Sequence, residues 1–220
     1  MDRAASFGRM ARHLEAFHVV RYDRRGYSQS RPTGVGTLDD HVDDLLAVIG
    51  DRKVVVFGHS IGGVIALLAA RRRADLVSSV VAYEAPTPWE DWWPQPEAGA
   101  AEPATEAEAF MRRAIGDRYW SRLPARTRED RRAEGQALQA DIASIQAAPF
   151  VAEDIDVPVL VAAGSATTWW HARAARTLAA RLPEGEYVEV PDAQHGVHLT
   201  HPRASAELVV RAAGRGGLLA

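Results

Sequence analysis

The sequence predicts an α/β fold in which a mostly parallel sheet is flanked by helices. Short apolar segments with strand character alternate with helical segments along most of the 220 residues, a rhythm that implies a parallel sheet covered on both faces. A valine-rich run at 54–57 also leads through a short glycine-containing turn directly into an apolar helix. Between 86 and 150 this rhythm stops, and early prolines are followed by charged, alanine-rich helical segments. We therefore expect a core formed by 1–85 and 151–220, with a helical cap insertion at 86–150.

Composition limits the class of protein and its partners. Hydrophobic residues make up 47% and charged residues 25% of the chain, an ordinary globular balance for a length that can bury one sizeable core. The net charge of −3 offers no basis for binding nucleic acid. No apolar run is long enough to span a bilayer and no signal peptide is evident. We expect a cytoplasmic protein with neither a nucleic-acid nor a membrane partner.

Cysteine is absent from the chain, which excludes disulfides, thiolate metal sites and a cysteine nucleophile. The sequence contains no recognisable metal or nucleotide motif either, because the glycines at 34 and 36 lack a strand–turn–helix setting. We therefore expect no cofactor and no metal.

The individual elements follow from apolar spacing and from turn residues. The first half predicts a helix at about 4–14, a strand at 18–22, a polar loop at 23–32, a helix at 38–49, a strand at 54–57, a helix to about 73 and a strand at 77–83. The helix at 38–49 is the clearest, since its apolar residues recur at helical spacing. After the insertion we expect a strand at 157–163, a helix at 170–182, a strand at 187–190 and a final helix at 202–213.

The turn at Gly58-His59-Ser60-Ile61-Gly62 indicates a nucleophile elbow. A sharp turn from strand to helix strains the backbone of its central residue and leaves the Ser60 hydroxyl exposed above the sheet. We expect Gly58 and Gly62 to supply the space for this turn. The helix that follows directs its first N–H groups and its positive dipole end at the serine, so Ser60 is the candidate nucleophile.

Four segments together resemble the α/β-hydrolase fold over almost the whole chain. They are the loop at 22–28, the elbow at 58–63, the strand at 157–161 and the segment Pro191-Asp192-Ala193-Gln194-His195, which resembles the histidine loop of that family. The family normally begins with further strands and a His-Gly loop that donates one oxyanion N–H. This chain opens after that point, so we expect the leading strands and one donor to be missing, through a misplaced start or a true truncation. The exposed sheet edge that results suggests pairing with a second copy.

A serine nucleophile needs a nearby base, and a histidine in turn needs an orienting acceptor. His195 fits best among the eight histidines because it follows the last strand, at the carboxyl edge of the sheet. His198 is the rival base, and His201 is expected to begin the last helix. His59 is expected to support the elbow, whereas His171 is interpreted as a surface residue or a helix cap.

The orienting acid is less obvious, because the loop at 164–170, where the family most often carries it, has no carboxylate. We favour Glu84, which ends the strand after the elbow helix; haloalkane dehalogenases, which have the same overall fold, place their acid after this strand. Asp192 is the runner-up, and Asp23 is a weaker third that the resemblance assigns to tying down its own loop. Dehalogenation itself is disfavoured, since those enzymes use an aspartate where this chain has Ser60.

The predicted function is hydrolysis of a small or medium carboxylic ester or related acyl compound. Ser60 attacks, His195 transfers the proton, Glu84 orients the imidazole, and the Ile61 N–H helps to hold the oxyanion. Two alternatives stay open: another chemistry on the same triad, such as a lyase, acyltransferase or cofactor-free oxygenase, or a catalytically inactive binding protein. Three tryptophans that open the insertion, Trp89, Trp92 and Trp93, line a substrate pocket or anchor the cap. Arg24 and Arg25 are interpreted mainly as loop salt bridges.

Overall fold

A computed structural model describes residues 3–95 and 102–219. Within these residues four strands form one sheet: β1 (Val54–His59), β2 (Val77–Tyr83), β3 (Val159–Gly164) and β4 (Gly185–Val190). The strands lie in the order β1-β2-β3-β4, and every neighbouring pair is parallel. The carboxyl ends of all four strands therefore meet at one edge, where open α/β sheets bind ligands. The predicted α/β class with a parallel sheet is confirmed.

Helices precede, connect and follow the strands. Those of the first part are α1 (Gly8–Ala11), α2 (Leu38–Ile49) and α3 (Ile61–Arg72). Between β2 and β3 lie α4 (Pro103–Ile115), α5 (Asp117–Arg122), α6 (Ala125–Arg132) and α7 (Gly135–Ser144). The last part contains α8 (Trp169–Arg181), α9 (Val197–Thr200) and α10 (Pro202–Arg215). Short 3-10 turns occur at Ala4–Phe7, Ser28–Thr33 and Ala152–Asp154.

The core lies on both faces of the sheet because successive strand residues point to opposite sides. On one face, Val80 and Val161 pack with α2, α3 and α8. On the other face, Val81 and Leu160 pack with α1, α9 and α10.

All seven residues of β2 are buried. Burial on both faces explains why β2 shows no alternation of apolar and polar residues; its two serines, Ser78 and Ser79, are buried with their hydroxyls donating to the Val54 and Ala212 carbonyls.

A buried ion pair joins the helices between β2 and β3 to the first part of the chain. Asp141 on α7 accepts hydrogen bonds from Arg24 Nη2 at 2.6 Å and from the Tyr27 hydroxyl at 2.6 Å. His41 Nε2 lies 3.0 Å from the same carboxylate. Burial alone raises the pKa of Asp141, but the charge of Arg24 and these hydrogen bonds outweigh it and hold that pKa well below its usual range. The boundaries predicted for the insertion, 86 and 150, stay a prediction.

One predicted strand is wrong. Residues 18–22 form neither a helix nor a strand, and β1 has β2 as its sheet partner within the described residues. Val19 and Val20 are 37% and 49% exposed, so neither side chain gains the burial that alternation provides in a paired strand. A strand needs a hydrogen-bonding neighbour, which apolar composition cannot supply. The first helix is also shorter than predicted, and no helix of the described residues has the length and apolarity to cross a membrane.

Candidate active site

Ser60 occupies a strained turn between β1 and α3. Its backbone has φ 54° and ψ −129°, a left-handed value of φ that L-residues adopt at a cost. The Ser60 N–H donates to the Tyr83 carbonyl at 2.9 Å, and the Ser60 carbonyl accepts from the Gly63 N–H at 2.8 Å. These bonds hold Ser60 at the carboxyl edge of the sheet. Ile61 is the first residue of α3, so its N–H is among those that have no acceptor within the helix.

The two glycines of the elbow have different roles. A Cβ on Gly58 would lie 2.2 Å from the Gly62 carbonyl oxygen, so only glycine fits there. A Cβ on Gly62 would have no neighbouring atom within 4 Å. The expectation that Gly62 also prevents a collision is therefore wrong, because its side-chain direction points into open space. Residue 58 must be a glycine because the backbone of Gly62 lies too close to it for a Cβ.

Glu84 follows β2 directly and is fully buried. Its Oε1 accepts from the Gly164 N–H at 3.0 Å, and its Oε2 lies 2.7 Å from His195 Nδ1. Burial raises the pKa of this carboxyl, but the hydrogen bond and charge of His195, together with the Gly164 N–H, more than offset it and leave the pKa below its ordinary value. Glu84 can therefore act as a charged acceptor for the histidine.

His195 lies on the loop after β4, with 22% of its side chain exposed. Two contacts attach this loop to the ends of β1 and β2: His59 Nε2 is 2.6 Å from the His195 carbonyl, and the Tyr83 hydroxyl donates to the Gln194 carbonyl at 3.0 Å. The rings of His59 and His195 have their centroids 4.5 Å apart. Because His59 immediately precedes Ser60, this contact brings the histidine loop to the elbow.

A comparison with known proteins shows the family to which the chain belongs. The model of the Alpha/beta hydrolase family matches residues 3–208, which is most of the chain. The chain belongs to the alpha/beta hydrolase family. The resemblance inferred from the four sequence segments is thereby confirmed.

Individual relatives of this alpha/beta hydrolase include one named a lipase and one named an enol-lactonase. Lipase LipV of Mycobacterium tuberculosis is 37% identical over 76 residues, which is 33% of this chain and 29% of the length of that lipase. An alpha/beta hydrolase from Sphaerobacter thermophilus aligns with TM-score 0.69 and 26% identity over 96% of this chain and 88% of its own. An enol-lactonase from Burkholderia xenovorans aligns with TM-score 0.72 and 25% identity over 96% and 87%. These likenesses support a hydrolase.

The rival residues occupy other positions in this alpha/beta hydrolase. His198 is buried, and its ring stacks on Phe7 with centroids 4.5 Å apart. Asp192 is exposed and its N–H donates to Ser165 Oγ. Asp23 accepts from the Ala4 and Gln29 N–H groups and so ties down its own loop. His201 precedes α10 as its N-cap residue.

The predicted pocket tryptophans separate into two groups. Trp89 meets Phe150 edge to face, with centroids 6.0 Å apart, and packs on the core. Trp93 meets the ring of His171 edge to face at 5.4 Å, and Trp92 lies 6.2 Å from Trp93. Trp92 and Trp93 are therefore connected to the site through His171, whereas Trp89 is placed where it anchors the segment after β2.

His171 is the site residue that the sequence did not indicate. It lies in the first turn of α8, and its ring stacks on that of His195 with centroids 4.7 Å apart and an interplanar angle of 16°. Its Nδ1 is 3.7 Å from Glu84 Oε2 and 2.9 Å from Thr168 Oγ1. Burial and the neighbouring His195 lower the pKa of His171 to about 4. The position of His171, three residues after the N-cap residue Thr168, gives no signal of this contact, because only folding brings the start of α8 to the end of β2.

The arginines of the first loop make salt bridges, as expected. Arg24 pairs with Asp141, and Arg25 Nη2 lies 2.6 Å from Asp44 Oδ1. Both guanidinium groups are therefore neutralised by carboxylates outside the site.

Proposed function

We propose that this chain is a serine hydrolase that cleaves a small or medium carboxylic ester or a related acyl substrate. Ser60 is the nucleophile, His195 the general base and acid, Glu84 the orienting carboxylate, and the Ile61 N–H an oxyanion donor. The observation that carries the proposal is the 2.7 Å contact between Glu84 Oε2 and His195 Nδ1, made beside the strained Ser60. Ester-cleaving relatives support acyl chemistry for the chain.

The contact supports Nε2 as the nitrogen of His195 that exchanges protons with Ser60. A charged Glu84 accepts the Nδ1 hydrogen, so the lone pair lies on Nε2, the form that a general base requires. The Ser60 hydroxyl proton passes to Nε2 as Oγ attacks the acyl carbon, and Glu84 stabilises the imidazolium that results. That proton then passes to the leaving alcohol. Water then attacks the acyl-enzyme while His195 Nε2 takes its proton. The carboxylic acid leaves, and His195 returns the proton to Ser60 Oγ.

Labelling with a fluorophosphonate probe, followed by intact mass and peptide sequencing, tests the proposal. A single adduct on Ser60 is expected, absent in Ser60→Ala and strongly slowed in His195→Ala. Ser28→Ala is the matched control, since Ser28 also has a left-handed backbone, with φ 48°, but its N–H is bonded to Glu134. Labelling of folded Ser60→Ala at the wild-type rate would overturn the assignment. No adduct on the folded wild-type protein would favour a non-catalytic role.

A further inference from the structure

We propose that His171 is a positioning residue whose ring keeps the imidazole of His195 in the orientation that bonds to Glu84. The ring of His171 stacks on that of His195, with centroids 4.7 Å apart and an interplanar angle of 16°. This spacing lies within the favourable range of about 4.5–7 Å for pairs of aromatic rings. The positioning itself does not depend on the proposed function, whereas its effect on the reaction rate rests on that function.

The hydrogen bond to Glu84 holds the His195 ring at one edge, through Nδ1. Because a hydrogen bond tolerates a range of angles, this bond by itself lets the ring tilt about that edge. The ring of His59 lies 4.5 Å away but is inclined by 48°, so it is not flat against the imidazole. The ring of His171 is nearly parallel to it and therefore opposes the tilt. Nε2 then keeps a constant direction, as a base that must meet the Ser60 hydroxyl requires.

The ring of His171 is itself held in place by its neighbours. Its Nδ1 lies 2.9 Å from the hydroxyl oxygen of Thr168, the residue before α8. Trp93 meets the ring edge to face at 5.4 Å, and the ring of Trp170 lies 6.0 Å away. Only 16% of the His171 side chain is exposed. Packing and a hydrogen bond thus restrict its rotamer, and a supporting residue can orient another only when it is restricted in this way.

His171 supports His195 without competing with it for Glu84. His171 Nδ1 is 3.7 Å from Glu84 Oε2, which is beyond hydrogen-bond distance, and its closer partner is Thr168. Burial, followed by the charge of His195, lowers the pKa of His171 to about 4. The charge of His59 acts in the same direction and that of Glu84 in the opposite one. The His171 ring is therefore neutral near pH 7 and does not repel the imidazolium that His195 becomes on accepting a proton.

Two substitutions of His171 separate the effect of a flat ring from that of apolar volume. His171→Phe keeps a flat ring, whereas His171→Leu keeps apolar volume without a flat face. In hydrolysis of a chromogenic short-chain ester, His171→Leu should lower kcat about 10- to 100-fold with little change in KM, because a misplaced base loses rate steeply. Labelling of Ser60 by the fluorophosphonate probe should slow by the same factor. His171→Phe should keep most of the wild-type kcat, and His13→Leu, at an exposed position, should match wild type.

Thr168→Val tests the same role if His171→Leu does not fold. The substitution removes the hydroxyl beside His171 Nδ1, and it costs α8 no cap because the Thr168 side chain makes no capping hydrogen bond. It should lower kcat in the wild-type background and have no effect in His171→Phe, where no ring nitrogen remains to be held. Equal losses in both backgrounds, or a loss in neither, would contradict the role of His171.

The hydrogen on His195 Nδ1 provides a readout that needs no activity. Its bond to a charged carboxylate is strong, so we expect a proton NMR resonance downfield of the backbone amides, assigned by its loss in His195→Ala. The resonance should persist in His171→Phe and be lost or broadened in His171→Leu, because the untethered ring exchanges this hydrogen with water.

Wild-type kcat in folded His171→Leu, or equal losses of kcat in the leucine and phenylalanine variants, would overturn the positioning role. On a protein without activity the resonance decides, and a signal that is absent from wild type or unchanged in His171→Leu would overturn the role. If the resonance depends on a flat ring at position 171 in a protein that never labels, the positioning stands and the proposed function fails.

Discussion

Ser60 and Glu84 each follow a residue of one matched pair in the sheet, His59 on β1 and Tyr83 on β2. Both have left-handed backbones, with φ of 54° and 46°, and the Ser60 N–H bonds to the carbonyl of the residue before Glu84. Two neighbouring parallel strands thus each present one candidate site residue at the same level of the sheet edge. A strained backbone conformation persists only where the surrounding structure holds it in place. At Glu84 the tight packing around its fully buried side chain does so.

Glu84→Gln should lower kcat by about 100- to 10,000-fold, because a neutral amide can orient His195 but cannot balance the imidazolium. The measurement is steady-state hydrolysis of a chromogenic short-chain ester. Asp192→Asn is the control and should keep near wild-type kcat, since Asp192 is exposed. A large loss in Asp192→Asn with little in Glu84→Gln would reverse the acid assignment.

Strain at Ser60 should be visible as a difference between two inactive variants. Both Ser60→Gly and Ser60→Ala remove the hydroxyl, but only alanine keeps a Cβ at φ 54°. The glycine variant should therefore have a free energy of unfolding about 1 kcal/mol higher than the alanine variant. Denaturant unfolding measures the difference.

In the control for that comparison, replacing alanine by glycine should lower the free energy of unfolding instead of raising it. Ala47 is exposed on α2, so Ala47→Gly should lower the free energy of unfolding by about 1 kcal/mol. Equal unfolding energies for Ser60→Gly and Ser60→Ala, alongside the normal loss at Ala47, would show that the elbow stores no strain.

The two elbow glycines should tolerate substitution unequally. Gly58→Ala places a Cβ 2.2 Å from the Gly62 carbonyl and should destabilise the fold by about 1–3 kcal/mol while reducing labelling of Ser60. Gly62→Ala meets open space within a helix and should be neutral or stabilising by up to about 1 kcal/mol. Thermal unfolding of both variants checks this, and a comparable loss in both would contradict it.

Acid should weaken the link made by Asp141. Its pKa is depressed in the folded protein, so the stability that its charge contributes is present above the unfolded-state value of about 3.9 and is lost as pH falls through the lower folded value. Asp141→Asn should be less stable than wild type at pH 7, with the gap narrowing below about pH 4. Denaturant unfolding at several pH values measures it.

Asp51→Asn provides the comparison for that series, because Asp51 is exposed in the turn after α2. Its unfolding energy should follow wild type at every pH. If the free energy of unfolding of Asp141→Asn stayed below that of wild type by the same amount down to pH 3, the Asp141 side chain would stabilise the fold through its shape and not through its charge.

Tryptophan substitutions should separate anchoring from substrate contact. Trp89→Ala should cost about 2–3 kcal/mol of unfolding free energy, because its ring packs on Phe150 and the core, and leave KM unchanged. Trp93→Ala, against His171, should raise KM for apolar acyl groups several-fold with a small change in stability. KM measured over a series of acyl chain lengths, together with unfolding energies, distinguishes the two roles. A raised KM in Trp89→Ala and a large loss of stability in Trp93→Ala would exchange them.

Local patterns determined much of the fold. The helix at 38–49 and the strand at 77–83 have the predicted bounds, because helical spacing and an unbroken buried run depend on nearby residues alone. The elbow was readable for the same reason, since strand, glycine, serine and helix adjoin in the chain. The segment at 18–22 was not, because its state depends on whether a partner strand lies beside it.

The sequence by itself determined the α/β class, the position of Ser60 and a short set of candidate bases and acids. Only the tertiary structure decided that Glu84, rather than Asp192 or Asp23, lies 2.7 Å from His195, and that His171 stacks on the same ring. Those contacts join residues separated by up to 111 positions. Local propensity carries no information on such distances, because they are set by strand order and by how helices pack on the sheet.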